Sequence, residues 1–236
     1  MMTLLEMVQD VCRELTLPVP SSIVGSTDPS TAQMRALFQR EGDMLRAHHD
    51  WTFLTTPWTI IVADQYGDAT PFPADYLKVL ENSVFYRVST RSPLNGPISP
   101  EEWQNLRVYG VPYLLGAWRL FDGALNIFGI PSGETVTGEY MSRNWIMRAD
   151  GTTTSAKWVS DTDTPRFDDV LMRLGVKWRW KAAQGFNYAQ EEMDYRAILS
   201  SFAANDRGLR LVPTARVSRD DGLPEASWPG QVVISG

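Results

Sequence analysis

The chain has 236 residues, 43 % of them hydrophobic and 21 % charged, which suits one large domain or two modest ones and is far from the composition of a disordered protein. The 22 Lys and Arg against 28 Asp and Glu leave a formal charge of −6, so a broad electrostatic grip on nucleic-acid phosphates, and with it sequence-specific DNA reading, is disfavoured. A single cysteine, Cys12, excludes an intramolecular disulfide and a cysteine-cluster metal site, and the longest apolar runs, such as residues 58–63, fall far short of the ~20 needed to cross a bilayer.

Glu6 and Asp10 stand where a secretory signal would carry Lys or Arg, so export by that route is not expected. Thr3-Leu4-Leu5-Glu6 has the Ser/Thr-x-x-Glu pattern of a helix start, and Leu4, Met7, Val8, Val11 and Leu15 then recur at helical spacing for about three turns. Leu17-Pro18-Val19-Pro20-Ser21-Ser22 ends that helix, because both prolines lack an amide donor and restrict the residue before them. A second helix is predicted from Asp28 as cap and Pro29 in the first turn, through Met34, Leu37, Phe38, Glu41 and Leu45 towards His49, with Gly42 as a local weakness.

From Trp51 onward, Phe53, Trp58, Ile60, Val62, Val84, Phe85, Tyr86 and Val88 are β-formers between Pro, Gly, Asp and Asn clusters. Asp122-Gly123 between residues 117–121 and 124–128 predicts a tight hairpin, since this pair suits positive φ at both turn positions. Asp150-Gly151 predicts a second turn, joining Trp145-Ile146-Met147 to Lys157-Trp158-Val159, and residues 134–141 read as a strand with Val136 and Tyr140 on one face. One short helix interrupts the strands at Ser99-Pro100-Glu101-Glu102, where Ser99 caps and Glu102 reaches back.

After Asp161-Thr162-Asp163-Thr164-Pro165 the helical period returns through Leu171, Leu174, Trp178 and Ala182, and again after Gly185 through Tyr188, Tyr195, Leu199 and Phe202. Arg173, Lys177, Arg179 and Lys181 crowd the first half and Glu191, Glu192 and Asp194 the second, a sign reversal read as solvated faces in preference to contacts with a neighbour. From Arg207, Gly208, Pro213, Gly222, Pro224, Pro229 and Gly230 break every period, which predicts an extended arm. The elements together read as α+β.

Sites of chemistry are sparse. His48 and His49 are adjacent, so on a helix they diverge by about 100° and make a poor metal pair; a helix C-terminus suits them better. There is no Gly-x-Ser-x-Gly elbow, and Cys12 sits among apolar residues, so nucleophilic catalysis is rejected. Asp161-x-Asp163 fails as a calcium loop, with Arg166 at the sixth position and Met172 at the twelfth; turn formation and capping, by Asp168 and Asp169 too, is the simpler role. Residues 129–133 lack the spacing and Lys of a phosphate loop. Glu101-Glu102 as acid and base, with nine tryptophans as sugar platforms, is the best case for a polysaccharide-binding or cell-wall-degrading protein. Against it, adjacent carboxylates on one helix do not face each other across a cleft, and Trp118, Trp145 and Trp158 fall in strand patterns where burial is the default. No catalytic, cofactor-binding or metal-binding residue is assigned.

The order of several long stretches resembles the head-to-tail adaptor proteins of tailed bacteriophages, portal-adjacent ring subunits related to the tail tubular proteins of short-tailed phages. These stretches are residues 20–29 (PSSIVGSTDP), the helix ending His49-Asp50-Trp51, residues 91–103 (RSPLNGPISPEEW), residues 140–145 (YMSRNW), and Asp161-Thr162-Asp163-Thr164-Pro165 leading into residues 174–185 (LGVKWRWKAAQG) and Tyr188, a likeness reaching residue 206 or so. The resemblance implies a helical bundle from residues 1–50 and 163–206 with an antiparallel β-rich insertion at 51–162; the C-terminal arm at 207–236 rests on its Pro and Gly breaks alone. The resemblance also implies a dodecameric ring under the portal, in the virion neck or tail after assembly in the host cytoplasm. Expected partners are other copies of the chain, the portal protein, a downstream tail or nozzle protein, and double-stranded DNA passing through the lumen without sequence-specific binding or membrane insertion. It implies no catalytic residues. On physical grounds Arg210, Arg216, Arg219, Trp228, Val232 and Ile234 of the arm are the candidates for docking on the portal or a neighbouring subunit, as aromatic and aliphatic anchors flanked by arginines.

Overall fold

The computed structural model describes residues 1–80, 83–110 and 116–206. Helix α1 (Leu4–Glu14) opens on a reciprocal cap: the Thr3 hydroxyl accepts from the Glu6 amide at 3.3 Å, and the Glu6 carboxylate accepts from the Thr3 amide at 2.8 Å. Its apolar face, Leu4, Met7, Val8 and Val11, is fully buried. Asp28 caps α2 (Pro29–His48) by accepting from the Thr31 amide at 2.8 Å, as its Asp-Pro start predicts. Gly42 is no weak point in α2. A Cβ there would lie 2.1 Å from the Trp145 ring, so the missing side chain is the space into which the indole packs.

A 3₁₀ turn (Thr52–Leu54) leads into β1 (Thr55–Ile61), followed by β2 (Asp68–Pro71), β3 (Tyr76–Val79), β4 (Tyr86–Arg87), β5 (Ser92–Pro93) and α3 (Pro100–Tyr109). The predicted hairpin forms as β6 (Ala117–Phe121) and β7 (Ala124–Phe128), with Asp122 at φ 53° and Gly123 at φ 68°. Strand β8 (Thr135–Ser142) is the longest. Along one edge it pairs antiparallel with all of β1; on the other, β3 takes its Tyr140–Ser142 end and β4 takes Val136 and Thr137. That shared edge explains why the β-formers around Val84 to Val88 yield only a two-residue strand and leave Val84 and Val88 exposed.

The β-rich part is layered. Trp58, Ile60, Val136 and Tyr140 face inward from the large sheet onto Leu125, Ile127 and Trp118 of the β2–β7–β6 sheet, and α3 covers that sheet's other face with Trp103 and Leu106 against Ala117 and Phe128. Strand β7 is therefore buried at every position, with no polar alternation.

The second predicted turn is present, with Gly151 at φ 68° and the Asp150 carboxylate accepting from the Thr152 and Thr153 amides, but its strands differ from expectation. Strand β9 (Ile146–Met147) pairs with β10 (Thr154–Ser155) and with β11 (Thr164–Pro165), while residues 157–159 leave the ladder. The buried Asp163 carboxylate takes the Val159 and Ser160 amides instead, at 2.8 Å each. Asp168 then caps α4 (Asp169–Gln184), which stops at the left-handed Gly185 before α5 (Ala189–Asp206). Helices α1, α2, α4 and α5 share one core with Trp51, Met141, Trp145, Ile146, Trp158 and Phe167. The result is an α+β fold, with five α-helices and antiparallel sheets among the described residues. The arm at 207–236 lies outside the described residues.

Candidate functional site

Helix α4 is the hub of the helical part. The basic row read as a solvated face is, residue by residue, tied to carboxylates of the same chain. Arg173 reaches Asp10 at 3.2 Å, Lys177 reaches Glu14 at 2.9 Å, Lys181 pairs with Glu191, and Arg179 pairs with Glu41. The correction has a simple cause: α4 runs between α1, α2 and α5, so its charged side chains meet neighbouring helices before they meet water.

Glu41 is fully enclosed. Its carboxylate accepts from the Tyr195 hydroxyl at 2.6 Å and from Arg179, which also donates to the Gly175 carbonyl at 3.1 Å and stacks 4.4 Å from the Trp178 ring. A Cβ at Gly175 would overlap that carboxylate, so Gly175 opens the place where three helices exchange charge. Burial pushes the Glu41 carboxyl above its ordinary value despite both partners, and burial beside Glu41 raises the Tyr195 phenol.

The Asp161-Thr162-Asp163 turn is a second clamp. Asp161 accepts from the amides of Ile23 (3.1 Å) and Val24 (2.7 Å), while the carbonyls of Asp161 and Asp163 receive the Leu5 and Leu4 amides of the first helical turn. Two short runs almost 140 residues apart, both within the stretches that carry the adaptor resemblance, thus bind one another. Sequence spacing shows nothing of this, because long-range partners leave no periodic trace.

A groove of about 540 Å³ opens where α5 ends. Trp51, Phe167 and Leu171 form its buried floor and Phe53 and Phe202 its half-buried walls. Arg166 donates to the Phe53 carbonyl and lies 5.6 Å from the Phe53 ring. Asp206 marks the helix end: its carboxylate accepts from the Thr52 amide and hydroxyl, both at 2.8 Å, and lies 3.4 Å from Nε2 of His49.

Exposed apolar side chains are dispersed elsewhere. Ile61, Val84, Tyr86 and Val88 stand at the large sheet, Val108 and Tyr109 at the end of α3, and Met193 on α5. His48 and His49 end α2, as expected for a helix C-terminus. Cys12 is buried, and burial raises its thiol, which fits a structural role. Glu102 caps α3 by accepting from the Ser99 amide at 3.0 Å, with Glu101 beside it in the same turn. Trp51, Trp58, Trp103, Trp118, Trp145 and Trp158 are core residues and present no sugar platform. Among the described residues no group of three or more His, Cys, Asp or Glu is placed to hold a metal, and no helix is long and apolar enough to cross a membrane.

The polar groups described above hold elements of the chain together. The model of the SU10 adaptor protein family matches residues 2–229. The chain belongs to the SU10 adaptor protein family. The match agrees with the phage-adaptor resemblance and goes further along the chain, past residue 206 into the arm. Comparison with curated proteins gave no match. Of the adaptor's candidate partner residues, Arg210, Arg216, Arg219 and Trp228 fall within the matched span, Val232 and Ile234 beyond it, and all six lie outside the described residues.

Proposed function

We propose that this adaptor is the head-to-tail connector of a phage virion: copies form a dodecameric ring under the portal, join the head to the tail, close the packaged head and line the channel through which DNA leaves. The observation that carries the reading is the family match over residues 2–229, nearly the whole chain. The chemistry is consistent with it. The buried carboxylate, the basic row of α4 and the Asp161 clamp serve packing, and a formal charge of −6 per copy suits a lumen past which a duplex slides without being held by its phosphates.

In this reading residues 1–50 and 163–206 form the helical body, 51–162 the β-rich insertion, and 207–236 an arm that docks on the portal or a neighbouring subunit. Arg210, Arg216, Arg219, Trp228, Val232 and Ile234 are its contact candidates. The downstream partner is a tail or nozzle protein, and assembly takes place in the host cytoplasm. Electron microscopy of the native virion tests the proposal. A closed ring of this chain between portal and tail is the expected result, and a neck without it overturns the assignment.

A further inference from the structure

We infer that the aromatic groove at the end of α5 is the seat of the arm's own root, taking Leu209 and Leu211 of the same chain. Three observations converge. The groove is apolar and open, about 540 Å³, with Trp51, Phe53, Phe167 and Phe202 around it, a volume of the size that holds a short peptide segment or a ligand. The described chain ends on its rim, because Thr52 and His49 fix Asp206 there. Thirty residues follow Asp206, and their first apolar side chains are Leu209, Leu211 and Val212, beginning roughly 10 Å and ending roughly 20 Å of contour beyond it.

Charge agrees with this occupant. The lining carries the carboxylates of Asp168, Asp169 and Asp206 against Arg166 and the Met1 ammonium, a small negative excess, and the root brings Arg207 and Arg210. Gly208 supplies a bend with no side chain to obstruct it, and Pro213 stops any regular element from continuing. In an extended segment Leu209 and Leu211 share one side, towards the aromatic floor. Anchoring residues 209–212 leaves 213–236 as the reaching part, with a span of up to roughly 80 Å, and fixes the point from which it starts. The inference concerns the isolated chain and does not depend on the ring or the portal.

Trypsin supplies the test, because the arm carries its own controls at Arg216 and Arg219. In dilute full-length protein, cleavage after Arg210 is expected to be slower than after Arg216 by on the order of tenfold, since a seated root must open before it is cut. The double variant L209S/L211S, which touches no described core residue, brings cleavage at Arg210 up to the rate at Arg216. Hydrogen exchange in peptides spanning Phe53 and Phe202 rises in the same variant. Equal rates at Arg210 and Arg216 in the wild type overturn the inference, as does protection that survives in the double variant. Protection that appears only at concentrations where copies associate overturns it too, in favour of a neighbour's root.

Discussion

Replacing Arg179 with alanine would strand a carboxylate that has no access to water, because Glu41 is fully enclosed and Tyr195 alone would remain to bond it. Removing one partner of a buried pair costs about 3–5 kcal/mol, against about 1–3 kcal/mol for Tyr195→Phe, which removes one hydrogen bond and leaves the ion pair. Urea denaturation of the two variants should rank them in that order. Gly42 makes a prediction of unusual sign. Alanine for glycine inside a helix ordinarily stabilises by about 1 kcal/mol, but here the new methyl would enter the Trp145 ring, so Gly42→Ala should destabilise by about 1–3 kcal/mol in the same measurement. Glu134 gives a pH test. Arg87 and Ser89 hold its carboxyl at about 2, below an ordinary value of 4.5. A depressed carboxyl adds stability that is present above its unfolded value and lost as pH falls through its folded one, so this contribution fades from pH 4.5 down to about 2. Carbon-detected NMR titration should place the Glu134 midpoint near the lower figure, and Arg87→Ala should return it towards the upper.

Elements differ in how much of them was legible, and the difference follows from the range of the interactions involved. Caps and tight turns are local: Thr3 with Glu6, Asp28 with Pro29, Ser99 with Glu102 and the Asp122-Gly123 pair all act within four residues, and each stands where the sequence places it. The strand expected at residues 157–159 failed because Asp163, a buried carboxylate, competes for the Val159 and Ser160 amides, and that competition depends on tertiary burial. The basic row of α4 was misread for the same reason, since its carboxylates come from α1, α2 and α5. Of the site, the terminal helices were legible, but neither the Asp161 clamp nor the aromatic groove was, because each joins segments more than 100 residues apart. The clamp can be broken alone. Asp161→Ala removes the acceptor of two backbone amides, so exchange at the Ile23 and Val24 amides should accelerate while α4 stays protected, and stability should fall by about 1–3 kcal/mol. Unchanged exchange at those amides would show that the loop is held by the packing of Ile23 instead.

For the whole molecule, the proposed ring under a portal raises the question whether copies close it before a portal is present. Among the described residues, exposed apolar side chains include Ile61, Val84, Tyr86 and Val88 at the large sheet, Val108 and Tyr109 at the end of α3, and Met193 on α5. A contact between two free copies must overcome the lost translational and rotational freedom of both partners before it contributes any net stability. Like charge works in the same direction, since each copy brings −6. In the proposed assembly a template would change the balance by holding copies side by side, which turns each lateral contact into an intramolecular event at high effective concentration. Multi-angle light scattering of the purified adaptor should therefore give the mass of a single chain, and addition of portal should give a complex carrying a full ring. The transition should sharpen at low salt if arm arginines meet portal carboxylates, and weaken as screening rises. A stable ring without portal would remove the template argument and leave the connector assignment standing, because ring closure would then rest on lateral contacts alone.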